Sequence, residues 1–282
     1  MIISFQDVSF AYERFGEGSS AHLEQLRHLN FTVGEAECVA IVGRSGSGKT
    51  TLMQMFNGLL RPTRGQISLD GCDIHASGYN LHELRTRIGL AFQFPEAQLF
   101  GMTVSEDVAF GPAQLKLAAD EVHLRVRASL LQVGLTEEFL LRNPMTLSEG
   151  EKRRVALAGI LAMNPEMLVL DEPTASLDAA GVAQIKQILQ ECFRQGKTVV
   201  LVSHDMDFVA ELAERVLVLQ AGEIIFDGKP AELWRDGQLL EHNEASDAAP
   251  ANLLARAGLA WPRAVRLRKF LAAKNISCEQ NF

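Results

Sequence analysis

Cysteine is scarce in this chain of 282 residues, and its four copies, Cys38, Cys72, Cys192 and Cys278, are scattered with no CxxC pair. That excludes a zinc ribbon or a disulfide framework and fits a reducing compartment. Long apolar runs are also missing. The longest, Val155 to Met163, is interrupted by Gly159 and reaches only about half of the ~18 residues that a membrane-crossing helix needs. The opening stretch MIISFQDVSF has no basic region followed by an apolar one, so no secretory signal is expected. Positive charge is in deficit, with 27 Lys+Arg against 35 Asp+Glu and a net charge of −8, which argues against nucleic acid as a partner. What remains is an ordinary globular balance. With 47% hydrophobic and 22% charged residues, the chain has core enough for one large domain, with or without an appendage.

The pattern along the chain is mixed. Up to about residue 40, apolar and polar positions alternate, as in Ile3, Phe5, Phe31 and Val33, with a Gly/Ser-rich break at Gly16–Ser20. This predicts short antiparallel strands joined by a hairpin loop. Cys38–Val42 is continuously apolar, as a strand buried on both faces would be. The spacing then predicts helices near Ser105–Ala109, Glu121–Val133 and Glu149–Met163, the last stopped by Asn164-Pro165. Strands follow at Met167–Leu170, Thr198–Val202 and Arg215–Leu219, with a helix over Ala180–Gln195. The expectation is a helical insertion inside an α/β core.

Chemistry concentrates after the first buried strand. Gly43-Arg44-Ser45-Gly46-Ser47-Gly48-Lys49-Thr50 fits the phosphate-loop pattern GxxxxGK[ST] completely, and Thr51 follows in the helix it opens. Its glycines let successive backbone amides turn toward α- and β-phosphates, and the helix start adds partial positive charge. Lys49 reaches the β/γ-phosphates, and the Thr50 hydroxyl can ligate Mg²⁺. Asp171 and Glu172 end the apolar strand beginning at Met167. There Asp171 can hold the metal shell and Glu172 can polarise an attacking water. Carboxylates also end strands as simple solvated loop starts; the phosphate loop upstream is what gives this pair weight.

These residues stand in a larger order that resembles the ABC ATPases. Leu147-Ser148-Glu149-Gly150-Glu151 resembles their LSGGQ signature, Asp178 their D-loop aspartate, His204 their switch histidine and Gln93 their Q-loop glutamine. Tyr12 falls where the family stacks an aromatic ring on adenine. Asn57-Gly58-Leu59-Leu60-Arg61-Pro62-Thr63, Phe92-Gln93-Phe94-Pro95-Glu96-Ala97-Gln98-Leu99-Phe100 and Asp107-Val108-Ala109-Phe110-Gly111-Pro112 are similar to the ATP-binding subunits of energy-coupling factor transporters, the cobalt-uptake type included. The resemblance implies an α/β P-loop NTPase core, an antiparallel β subdomain, a helical subdomain inserted at about 94–164 and a C-terminal helical tail. An ATPase domain over 1–228 would be followed by a dimerising extension over 229–282. It also implies ATP and Mg²⁺ as cofactors, with Thr50, Asp171 and Gln93 at the metal and Ser148, Gly150 and Asp178 facing a nucleotide on a second ATPase subunit. Further partners would be a transmembrane scaffold subunit and a substrate-capturing membrane protein, at the cytoplasmic face, importing a vitamin or a transition-metal ion.

Two features leave alternatives open. Glu149 and Glu151 replace a glycine and a glutamine of the signature. Either Ser148 and Glu151 form a capping box that leaves the serine facing nucleotide, or the chain donates a weak signature to a partner's site. The stretch from Phe94 to Phe100 suits the groove that receives membrane-subunit helices, where Glu96 and Glu106 either meet basic residues or are solvated loop acids. In the tail, Ala251–Phe282 carries six basic residues and one acid, with an apolar stripe of Leu267, Phe270 and Leu271. Dimer contact, lipid contact and a solvated face are all compatible with that stripe. A soluble ABC ATPase of DNA maintenance or translation, without membrane partners, is the competing class. Thr51–Thr146 has neither the length nor the heptads of the coiled-coil insertion of the first. The single phosphate loop argues against the second, which carries two nucleotide-binding units.

Overall fold

The computed structural model describes residues 1–12, 23–235, 254 and 257–263. The chain begins with β1 (Ile3–Tyr12) and β2 (Leu23–Val33), which pair antiparallel as their alternation predicts. Then come β3 (Cys38–Val42), α1 (Lys49–Phe56), β4 (Arg64–Leu69), β5 (Cys72–Asp73), α2 (Leu81–Arg87) and β6 (Ile88–Ala91). A helical stretch follows: a 3-10 turn at Pro95–Gln98, then α3 (Val104–Gln114), α4 (Ala119–Gln132) and α5 (Glu149–Ala162). The core resumes with β7 (Met167–Asp171), α6 (Ala179–Arg194), β8 (Thr198–Val202), α7 (Met206–Leu212), β9 (Arg215–Gln220), β10 (Glu223–Gly228) and α8 (Pro230–Arg235).

Two sheets result. The smaller runs β2-β1-β4-β5 and is antiparallel throughout; the larger runs β10-β9-β3-β8-β7-β6 and is parallel except for its β10 edge. Period-two geometry divides the large sheet's side chains between two cores. Val39, Ile41, Val169, Val200 and Val202 face the small sheet, where they meet α1 and the stacked rings of Phe5 and Phe31, 4.4 Å apart. Ala40, Val42, Leu168, Leu170, Val199 and Leu201 face the helical side, with Val155, Leu157 and Leu161 of α5. Such strands must be apolar at every position, which is why β3, β7 and β8 are legible as unbroken runs.

α3 runs several residues beyond the expected Ala109, through Gly111 and Pro112. Packing explains it: a Cβ at Gly111 would lie 2.7 Å from Met163 Cγ, so the glycine lets α3 lie close against the end of α5. The described part of the C-terminal extension folds back on its own chain. Leu233, Leu254 and Ala257 are fully buried in the same core as α5 and α6. The apolar stripe at Leu267, Phe270 and Leu271, and five of the six tail basic residues, lie outside the described residues; Arg263 is paired with Asp207 of α7. No described helix is long and apolar enough to cross a membrane.

Candidate functional site

The register of the large sheet assembles the site. Ile41 of β3 and Asp171 of β7 both pair with Val202 of β8. The residues just past the C-terminal ends of three adjacent parallel strands therefore come side by side: the loop from Gly43, then Asp171 and Glu172, then Ser203 and His204. Open parallel sheets place their binding crevices at such strand ends. Here they border a cavity of about 610 Å³ lined by the loop from Gly43 to Thr51, Gln93, Asp171, Glu172 and His204, among others.

The loop's glycines are imposed by its surroundings. A Cβ at Gly43 would sit 2.2 Å from the Leu219 carbonyl oxygen, so no other residue passes β9 at this point. Gly48 lies at φ 107° and caps α1 without any side-chain hydrogen bond, and no acid occupies the first turn. The first amides of α1 are left to an anion, which their partial charge favours. Lys49 curls back across the loop, its Nζ donating to the carbonyls of Gly43 at 2.8 Å and Arg44 at 3.0 Å. Burial lowers its pKa, against the opposing pull of Glu172 and Asp171. A phosphate arriving in the loop adds to the counter-charge that Glu172 and Asp171 give that half-buried ammonium.

Asp171 is 6% exposed, and the Thr50 hydroxyl donates to its Oδ2 at 3.1 Å. Burial pushes the Asp171 carboxyl up, resisted by the Thr50 hydrogen bond and by Lys49. A buried carboxylate beside a hydroxyl is a pair of hard oxygen donors, the kind a Mg²⁺ ion takes. Glu172 is also buried and stands at φ 46°, a left-handed backbone that turns the chain off the strand into the cavity. Its Oε1 lies 2.7 Å from His204 Nδ1, and its Oε2 accepts from the Ser203 hydroxyl at 3.4 Å. The histidine is well exposed, so the pair sits at the mouth of the cavity with its carboxylate inside.

The remaining candidates lie elsewhere. Tyr12 is half-exposed, with its hydroxyl 3.2 Å from the Thr51 hydroxyl and its ring edge-on to Phe10. It stands beside the start of α1, outside the cavity lining. Ser148 is the N-cap of α5 and Asp178 the N-cap of α6; neither they nor Gly150 border this chain's own cavity. The capping box expected at Ser148 and Glu151 is complete: the Ser148 amide and hydroxyl both donate to Glu151 Oε2, at 2.8 and 2.7 Å, and the Glu151 amide donates back. Glu149 is paired with Lys152. A Cβ at Gly150 would meet nothing within 4 Å, so nothing among the described residues of this chain demands the glycine.

Glu96 corrects both sequence readings. It is neither a solvated loop acid nor directed outward to a partner, because its carboxylate forms a nearly buried ion pair with Arg153 of α5 at 2.9 Å. Arg153 gives no signal in the sequence, since an arginine in a helix rich in basic residues reads as solvated surface. Gln25, Leu259 and Ala260 also line the cavity without having been expected there. Gly258 packs on the Arg44 side chain, so the C-terminal segment borders the phosphate loop. Only the fold brings a segment from residue 258 to the loop at residue 44.

The parallel sheet, the phosphate loop and the carboxylate pair at the neighbouring strand end define a P-loop nucleotide hydrolase. Residues 26–175 match the family described as ABC transporter. The chain is 48% identical over 234 residues to the energy-coupling factor transporter ATP-binding protein EcfA2 of Symbiobacterium thermophilum, covering 83% of this chain and 80% of that protein. It is 44% identical over 259 residues to EcfA of Methanothermobacter thermautotrophicus, covering 92% and 81%. Among solved structures it resembles CbiO1 of Clostridium perfringens, described as part of the ABC transporter complex CbiONQ, with a TM-score of 0.75, 34% identity and coverage of 95% and 98%. It also resembles the dimeric, ADP- and phosphate-bound cassette MJ0796, with a TM-score of 0.71 and 31% identity over 80% of this chain and 98% of that one. The chain belongs to the ABC transporter ATPase family, and within it to the ATP-binding subunits of energy-coupling factor transporters.

Proposed function

We infer that this chain is the ATP-hydrolysing motor subunit of an energy-coupling factor importer, working as a peripheral subunit at the cytoplasmic face of the membrane. The observation that carries the reading is the convergence of the phosphate loop, Asp171, Glu172 and His204 at three adjacent strand ends around one cavity. The names of its relatives supply the transporter context.

The loop amides and Lys49 bind the phosphates, and Tyr12 takes the adenine. Thr50, Asp171 and Gln93 would hold Mg²⁺. The ion, when bound, offsets charge on the β- and γ-phosphates. Glu172 orients a water for in-line attack and takes up its proton, while His204 holds the carboxylate in place and reaches the γ-phosphate. A second ATP-binding subunit contributes its own signature, D-loop and capped helix start. That division of labour accounts for Ser148, Gly150 and Asp178 lying away from this chain's cavity. Closure then depends on the nucleotide bridging two surfaces, and hydrolysis releases them. The membrane scaffold and the substrate-capturing protein convert that cycle into uptake of a vitamin or a transition-metal ion.

The test is Glu172→Gln. Hydrolysis should fall by about two to three orders of magnitude while ATP stays bound, read as phosphate release beside nucleotide retention. Unchanged hydrolysis would remove Glu172 from its role. Affinity isolation from membranes should bring down integral membrane proteins; recovery of none would overturn the transporter reading.

A further inference from the structure

Arg153 is 4% exposed, and all three of its guanidinium nitrogens are engaged. Nε and Nη2 grip the Glu96 carboxylate as a fork, at 3.2 and 2.9 Å. Nη2 also reaches the Gln93 carbonyl at 3.5 Å. Nη1 donates to the carbonyls of Ala175 at 2.5 Å and Pro173 at 3.4 Å. One side chain from the second turn of the signature helix therefore holds two loops. The first carries Gln93. The second is the turn that begins at Glu172.

That second turn needs holding. Glu172 at φ 46° and Ser176 at φ 63° both have left-handed backbones without being glycine. Such conformations persist only where the surroundings enforce them. Within the turn, the Ala175 amide donates to the Glu172 carbonyl at 3.0 Å and the Leu177 amide to that of Thr174 at 3.2 Å. The contacts tying the Pro173 and Ala175 carbonyls to another element come from Arg153. Because a guanidinium is planar and presents its donors in a fixed fork, the two loops cannot shift independently while it is in place.

We propose that Arg153 is a positioning residue for ATP hydrolysis: by locking the Gln93 loop and the turn after Glu172 to the signature helix, it presents the metal-side amide and the water-orienting carboxylate as one rigid unit. This rests on the roles given above to Gln93 and Glu172. Glu96 completes the lock by neutralising the buried cation and fixing the fork's angle. Arg153 does not line the cavity that holds the phosphate loop, so its influence runs through Glu172 and Gln93.

The experiment uses the full-length protein, with ATP affinity from a fluorescent analogue, steady-state and single-turnover hydrolysis, and thermal unfolding as the check on folding. Arg153→Lys keeps the charge but loses the fork. It should lower kcat about tenfold with ATP affinity changed less than about twofold, since a misplaced carboxylate slows the step that binding does not report. In a Glu172→Gln background the same substitution should have a clearly smaller effect, reduced to the part that runs through Gln93, because residues acting as a unit are non-additive. Unchanged kcat in folded Arg153→Lys overturns the proposal. So does an equal fall in both backgrounds, and so does loss of affinity in step with kcat. If Arg153→Lys fails to fold, Glu96→Gln leaves the arginine in place, removes its counter-charge and carries the same comparison. Failure of the functional reading itself would show separately, as a Glu172→Gln single variant that hydrolyses normally.

Discussion

Two helices of this chain begin at places where the sequence predicts contact with phosphate, and they begin in opposite ways. α1 starts at Gly48 with no side-chain cap and no acid in its first turn. α5 starts at Ser148 with a closed capping box and carries two acids in its first turn, Glu149 and Glu151. The first start is left incomplete by its own chain, and an incoming anion completes it. The second is partly satisfied by its own side chains, through the Ser148 and Glu151 amides, and already carries negative charge, so it gains less from an anion. The contrast suits a loop that holds the nucleotide and a surface that meets it only when two subunits close.

The comparison can be broken most severely at α1. Replacing Lys49 with Ala should cut hydrolysis by about two to three orders of magnitude and abolish the increase in thermal stability that ATP gives, measured as a melting shift. A retained shift would mean that the uncapped helix start alone holds the phosphates. At α5 the expected effects are smaller. Glu149→Gly removes a carboxylate from the start that the proposed function turns toward a partner's nucleotide. The side chain is 74% exposed and paired with Lys152, so screening limits the gain in hydrolysis to about twofold to fivefold. An unchanged rate would identify Glu149 as a spectator, and the capping box as the whole explanation of the altered signature.

The smallest effect separates the two helix starts by pH. Hydrogen bonds from the Ser148 hydroxyl and amide hold the Glu151 carboxyl below its ordinary value. A carboxyl lowered on folding stabilises the folded chain above its unfolded pKa, and that contribution disappears as pH falls through the lower folded value. Wild type should therefore exceed Glu151→Gln in urea midpoint at neutral pH, with the two converging under acid conditions below the ordinary carboxylate range. A gap that persists at acid pH would show that the cap does not depend on charge. The first turn of α1 holds no acid and contributes nothing to such a profile.

The legible parts of the fold were those where one physical demand acts locally. β3, β7 and β8 lie between two cores and must be apolar throughout, so their bounds can be read almost to the residue. β4 and β6 carry no such signal. β4 opens with three exposed residues, and β6 has only four residues, too few to show a period. The phosphate loop was legible because Gly43 and Gly48 meet steric conditions that few other residues satisfy. Arg153 and Glu96 were not, since each is ordinary in its own stretch of chain and becomes informative only through the other, 57 residues away.

By itself the sequence determined the family and the chemistry of the nucleotide site, because phosphate binding by a loop and a helix start is specified within a few consecutive residues. The tertiary structure decided which of the other candidates share that site. It brought Asp171, Glu172 and His204 to the loop through strand register, kept Ser148, Gly150 and Asp178 away from it, and turned Glu96 inward. The reason is physical: local sequence fixes backbone conformation and the faces that must be buried. A contact between distant segments depends on strand order and on which buried charge finds a partner, and neither is written in any single stretch of the chain.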